Sequence, residues 1–164
     1  MKTFNLEKEL SKKITSKRMQ SWRWASCVSG FPKNHIQGFA DIRKPALGDL
    51  ALVQVISLGS LTSIEEPLGG PLSIFPGTVL VGAFANRYAP DVYEGIIPES
   101  FDDSLELDLL NIGGVLGTVI SRNSAEGLPT KVKLLAFLKD KNGNIANTLN
   151  YSFKPKCTAP EKQS

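Results

Sequence analysis

Asn86-Arg87-Tyr88-Ala89-Pro90-Asp91, followed by Tyr93 and Glu94, gathers a planar cation, two phenols, two carboxylates and an amide within a few residues. Such a set can grip a phosphate or carboxylate through the Arg87 fork while Tyr88 or Tyr93 stacks on the rest of a small ligand. An enzyme built here would arrange Arg87, Asp91, Tyr93 and Glu94 around that ligand. The same spacing also makes a self-contained turn. Arg87 and Asp91 can pair across it, Asn86 can bond its own backbone, and Pro90 holds φ.

Trp22-Arg23-Trp24 is the second chemistry-bearing run. Indole rings stack on bases and on guanidinium groups, so Trp22, Trp24 and nearby Phe31 suit single-stranded nucleic acid, with Arg23 meeting phosphate. The alternative is a tryptophan that closes the end of a β-barrel.

Other constellations are thinner. Two carboxylates for acid–base hydrolysis could come from Asp91, Glu94, Glu99, Asp102, Asp103 and Asp108, but paired carboxylates work only where their environments split their pKa values. This run reads instead as a solvated acidic face. A Cys27–His35 nucleophile pair would need a third group to orient the base, and the irregular segment holding them shows no strained nucleophile turn. His35 is the only histidine and Cys27 and Cys157 the only cysteines, which argues against a metal site and for reduced thiols. Gly69-Gly70 and Gly113-Gly114-Val115-Leu116-Gly117 match no phosphate-cradling loop, and the latter leads into a strand rather than a helix. No cofactor is implied.

The elements that must position these residues divide by charge. Of the 164 residues, 1–44 carry 10 Lys+Arg against 3 Asp+Glu, 45–130 carry 2 against 11, and 131–164 carry 7 against 2. The net +3 therefore hides two basic ends around an acidic middle. Residues 4–20 read as an amphipathic helix, with Leu6, Leu10 and Ile14 on one stripe and Asn5 as N-cap. Glu7 and Glu9 suit its first turn, and Lys12, Lys13, Lys17 and Arg18 suit its last turns. The basic side is either a solvated face or a docking surface for an acidic partner or a phosphate backbone. Residues 25–45 read as loop. From residue 46 the pattern changes to strands: Leu50–Leu58, Leu61–Ile64, Leu72–Phe75, Thr78–Phe84, Val92–Ile97, Val115–Ser121 and Lys131–Leu138. Glu106–Asn111 reads as one or two helical turns. Asn142-Gly143 signals a hairpin that hands over to a strand at Ile145–Phe153, and residues 154–164 read as a loose tail. Gly82 inside a strand marks a bulge or a close backbone approach.

These elements predict a mainly β protein: a small closed or half-open β-barrel of about six or seven strands over residues 46–153, preceded by an N-terminal α-helix. No apolar stretch reaches the ~20 residues that span a bilayer, and acidic residues stand where a secretory signal would be apolar, so a cytoplasmic protein is expected.

Gly48-Asp49-Leu50-Ala51-Leu52-Val53, Phe75-Pro76-Gly77, Asn86–Asp91 with Tyr93-Glu94-Gly95, and Gly113–Gly117 together resemble an uncharacterised family of short bacterial proteins, as does the closing hairpin at Asp140–Gly143. Glu65 and Glu66 depart from that family's basic turn, and residues 1–45 lie outside the resemblance. It implies no activity. The expected function is a non-catalytic subunit or adaptor of a bacterial complex that binds a protein partner through Lys12, Lys13, Lys17, Arg18, Trp22, Arg23 and Trp24. The alternatives are a nucleic-acid-binding barrel using the two basic ends, and a ligand-binding protein or enzyme using Arg87, Tyr88, Asp91, Tyr93 and Glu94.

Overall fold

Residues 19–151 are described by a computed structural model of the chain. Along them run ten strands: β1 (Arg23–Trp24), β2 (Ile36–Ala40), β3 (Leu50–Ser57), β4 (Ser63–Glu65), β5 (Pro71–Ser73), β6 (Val79–Phe84), β7 (Tyr93–Ile96), β8 (Glu106–Leu109), β9 (Val115–Arg122) and β10 (Lys131–Asp140). The protein is mainly β, with 43% of the described residues in strands, 8% in helical turns and no helix of seven residues or more among them. The helix expected over residues 4–20 and the tail at 154–164 fall almost entirely outside the described residues, as do Lys12, Lys13, Lys17 and Arg18.

Alternation on the central strands explains the layering. On β3, Ala51, Val53 and Val55 face one apolar cluster while Leu50 and Leu52 face another. On β6, Leu80 and Phe84 join the first cluster, and Val81 and Ala83 the second. Strands buried on both faces read as unbroken apolar runs, which accounts for Leu50–Val53 and Val79–Phe84. The first cluster is completed by Leu107, Leu109, Leu116, Val132 and Phe137. The second is covered by Trp22, Trp24, Val28, Phe31 and Ile36.

An eight-stranded sheet runs β1-β6-β3-β10-β8-β9-β7, with β2 beside β10, while β4 and β5 form a separate hairpin. β6 also pairs in parallel with β9, Ala83 opposite Val115 and Phe84 opposite Leu116. The close approach expected at Gly82 occurs at this contact: a Cβ there would collide with the Gly114 carbonyl. The Gly48-Asp49 entry into β3 is a buried polar knot. Asp49 accepts from the Ala46 N–H at 2.8 Å, from Arg43 at 3.3 Å and from Asn147 Nδ2 at 3.0 Å.

Three expectations need correction. The segment 25–45 is not a loop: it holds two 3₁₀ turns (Ser26–Val28 and Lys33–His35) and β2, which pairs with β10. Glu106–Leu109 is a strand, because Leu107 and Leu109 both reach the first cluster while the backbone pairs with β10 and β9. The closing hairpin turns as predicted, with Asp140 Oδ1 accepting from the Asn142 and Asn144 N–H groups at 2.9 and 3.0 Å. The return strand stops after one bridge, Lys139 to Ile145. From Phe137 downward β3 already occupies β10, so the chain diverts through Ala146 and Asn147 into a 3₁₀ turn at Thr148–Tyr151.

Candidate functional site

The Asn86–Glu94 segment links β6 to β7, the last strand of the sheet order, and closes the outer edge of that strand. Arg87 and Gly95 exchange backbone hydrogen bonds at 2.9 Å in both directions, and the Ile97 N–H donates to Asn86 Oδ1 at 2.8 Å. Covered edges resist pairing with other chains. The Arg87 guanidinium donates from Nη1 to the Leu110 carbonyl. Among the described residues it makes no ion pair with Asp91, which stands exposed. Asn86 bonds across to Ile97 rather than to its own turn. Tyr93 is fully buried, its hydroxyl donating to the Gly127 carbonyl at 2.9 Å and bonded to Ser60 Oγ. Tyr88 is 83% exposed, and Glu94 is half-buried opposite Ser121. The motif's polar groups therefore diverge: Arg87 and Tyr93 point to internal partners, Tyr88 and Asp91 to solvent.

Trp22 and Trp24 are 7% and 6% exposed, so neither offers a free face to a nucleobase; Phe31, at 3%, is equally closed. The base-stacking role expected of these rings is corrected on that ground. The indoles lie 6.4 Å apart, Trp22 is 6.0 Å from the Phe39 ring, and Trp24 Nε1 donates to the Met19 carbonyl at 3.3 Å. β1 pairs in parallel with β6 and turns Arg23 out to solvent. Lys33 Nζ sits 4.9 Å above the Trp24 ring, a cation–π contact that covers the indole from outside. The signal for this arrangement lay in β3, β6 and β10: apolar residues on both faces of a strand require a second covering layer, and the upstream segment supplies its large apolar residues, Trp22, Trp24, Phe31 and Ile36 among them.

Cys27 and His35 do not form a dyad. Burial pushes the Cys27 thiol up to about 11, partly offset by hydrogen bonding to the Ala83 backbone, so it is a neutral thiol at physiological pH. His35 Nδ1 lies 3.0 Å from the Tyr151 hydroxyl and Nε2 lies 3.5 Å from Lys141 Nζ. Of the six candidate carboxylates, only Asp108 is buried. Its Oδ1 sits 2.5 Å from Lys131 Nζ and its Oδ2 accepts from the Val119 N–H at 2.8 Å. That pairing makes it structural. Among the described residues no three His, Cys, Asp or Glu stand close enough to hold a metal ion, and no helix is long and apolar enough to cross a membrane.

One concavity bearing polar groups was missed by sequence reasoning, an open cleft of about 540 Å³. Its place follows from strand pairing. Phe137 pairs with both Ala51 and Ala40, and Lys131 with both Ser57 and Asp108. β2 and β8 therefore lie end to end along one side of β10, opposite β3. Ile42, Arg43 and Lys44, just past the end of β2, form one wall; Phe101, Asp102, Asp103 and Leu105, just before β8, form the other. Lys44 Nζ reaches Glu99 Oε2 across it at 2.5 Å. Leu105 holds a left-handed backbone at φ 54°, fixed by donating to Asp102 O at 3.2 Å and accepting from the Leu134 N–H at 2.8 Å. The Asp102 carboxyl is held below its usual range by the Ser104 hydroxyl and N–H. A smaller apolar cleft of about 220 Å³ lies between the β4–β5 hairpin and Ile112. Neither cleft includes a residue of the Asn86–Glu94 motif.

Compared with family models, with curated proteins and with solved structures, the chain matches none.

Proposed function

We propose that this chain is a non-catalytic binding protein, an adaptor of a bacterial cytoplasmic complex built on a small β-barrel, which docks an acidic protein partner through its basic N-terminal segment. The observation that carries this reading is the burial of Trp22 and Trp24 on either side of exposed Arg23. Two aromatic anchors fix Trp22–Trp24 at one edge of the sheet, a few residues after Lys12, Lys13, Lys17 and Arg18 in the sequence. Barrel closure is supported by the β6–β9 pairing, which joins the ends of the β6-β3-β10-β8-β9 path. The bacterial setting rests on the resemblance of residues 48–153. Three polar groups with the chemistry for catalysis are engaged internally: Arg87 by Leu110, Asp108 by Lys131, His35 by Tyr151. The test uses the full chain with Lys12→Glu, Lys17→Glu and Arg18→Glu combined, which leaves both tryptophans in place. Partners that co-purify with the wild type from the native host should be lost while the melting temperature is unchanged. Partners retained by that variant exclude the docking role.

A second reading, binding to nucleic-acid phosphates, is favoured by where the basic ends attach. Residues 1–18 carry six Lys+Arg against two Asp+Glu, and residues 152–164 carry three against one. Met19 and Tyr151, the ends of the described chain, both pack on the second apolar cluster, so both basic stretches join the protein at one layer. Without exposed rings, such binding would be electrostatic. The anisotropy of a labelled single-stranded oligonucleotide should then show log K falling with log[salt] by about 0.7 per phosphate neutralised. A flat salt response eliminates it.

A further inference from the structure

We infer that the cleft between the end of β2 and the start of β8 is a binding site for a free amino acid with a large apolar side chain, its carboxylate meeting Arg43 and Lys44 and its ammonium meeting Glu99. The two walls differ in sign: Arg43 and Lys44 stand on one, Glu99, Asp102 and Asp103 on the other. The apolar lining comes from both, Ile42 on the first wall, Phe101 and Leu105 on the second. A simple anion would be repelled by the carboxylates, and a simple cation by Arg43 and Lys44. A zwitterion with an apolar body is opposed by neither wall, so the pair of walls selects for it. The volume of about 540 Å³ falls within the ~300–1,000 Å³ of small-molecule sites.

The groups that would meet the ligand are held in place by the fold. The half-exposed Arg43 guanidinium is fixed at 3.3 Å by Asp49, a buried carboxylate that also accepts from the Ala46 N–H and the Asn147 amide. Its planar fork suits a carboxylate. Phe101 and Leu105 pack against the first apolar cluster, Phe101 with its ring 6.2 Å from that of Phe84, so the apolar lining is an extension of the core. Leu105 is the one non-glycine residue at positive φ among the described residues, and strain of this kind gathers at ligand-binding positions. Lys44 and Glu99, in contrast, are 63% and 81% exposed. An exposed pair of long side chains adds little stability. The two charged ends of an amino acid can therefore enter between them, Lys44 passing to the carboxylate and Glu99 to the ammonium, with no charge left unpaired. Asp102 stays with Ser104. None of the residues proposed to dock a protein partner lines this cleft, so either role can fail without the other.

Amide chemical-shift titration of the full chain tests the site with four probes that share one ring: phenylalanine, phenylpropionate (no ammonium), phenethylamine (no carboxylate) and N-acetyl-phenylalaninamide (neither charge). Phenylalanine should bind with Kd on the order of 1 mM, as expected for a ligand of its size, and shift Ile42, Phe101 and Leu105 while leaving Tyr88 unmoved. Each of the other three should bind about fivefold more weakly or worse, having lost one or both charge contacts. Two exposed substitutions then give a reciprocal pattern. Glu99→Gln should shrink the advantage of phenylalanine over phenylpropionate and keep its advantage over phenethylamine; Lys44→Gln should do the reverse. No response to phenylalanine by ~10 mM overturns the site. So do equal affinities for all four probes, shifts centred on Ile64 and Ile112 of the apolar cleft, or variants that change both preferences alike.

Discussion

Trp22–Trp24 and Asn86–Glu94 have the same look in the sequence, aromatic rings around a single arginine, yet the fold holds them by opposite means. The first is held by area. Two indoles sink into the second apolar cluster, and among the strand pairings only a two-residue parallel ladder to β6 supports them. The second is held by directed polar contacts: backbone bonds between Arg87 and Gly95, the Asn86 amide on Ile97, the Arg87 guanidinium on Leu110 and the Tyr93 hydroxyl between Ser60 and Gly127. Burial by area is non-directional and scales with side-chain size, whereas a buried hydrogen bond contributes little net but is costly to leave half-made. Substitutions in the two regions should therefore fail differently.

The largest effect is expected from Trp24→Ala, which leaves a cavity under Lys33 and frees the Met19 carbonyl. A loss of about 3–5 kcal/mol in urea-unfolding stability is expected. A loss below ~1 kcal/mol would place the tryptophan outside the cohesive core and break the comparison.

Cys27 reports on the same layer without a cavity. With its thiol at about 11 rather than 9.0, roughly 100-fold less thiolate is present at pH 8 than in an exposed cysteine. In a Cys157→Ser background, iodoacetamide should modify Cys27 correspondingly slowly, with a rate that keeps climbing past pH 10. The sign for stability follows: a raised thiol pKa favours the fold below about 9 and loses that contribution as pH rises through about 11. A rate that levels off near pH 9 would contradict this.

Tyr93→Phe keeps the ring and removes the hydroxyl, stranding the Gly127 carbonyl and Ser60 Oγ. It should cost about 1–3 kcal/mol, a polar penalty smaller than the tryptophan cavity. If calorimetry shows no change, solvent already reaches that hydroxyl.

The smallest effects separate neighbours within one motif. Arg87→Ala should lose about 1–2 kcal/mol by releasing Leu110, while Tyr88→Ala should stay within about 0.5 kcal/mol because that ring is exposed. Equal melting shifts for the two would mean that the Leu110 contact contributes nothing.

The pattern of residues was enough for the strands whose alternation or apolar runs are strong: β3, β6, β9 and β10 lie within a residue or two of where their sequences put them. The Asn-Gly turn and the glycine at the β6–β9 contact were legible for the same reason, since both are local backbone requirements. Glu106–Leu109 was not, because four residues with two leucines fit a helical turn as well as a strand, and only pairing with β10 and β9 chooses between them. Residues 25–45 hid their strand because β2 has no alternation of its own and exists through its register on β10.

Local composition by itself determined a mainly β chain with two basic ends around an acidic middle, since strand propensity, turn residues and charge are properties of short windows. Tertiary structure alone decided which aromatic rings are core and which are surface, that Arg87 serves Leu110 rather than Asp91, and that β2 and β8 abut to leave a cleft. Those outcomes depend on partners tens of residues away: Asp49 on Asn147, Ser60 on Tyr93, Lys44 on Glu99. No window of sequence contains both members of such a pair, so nothing short of the packed chain could assign them.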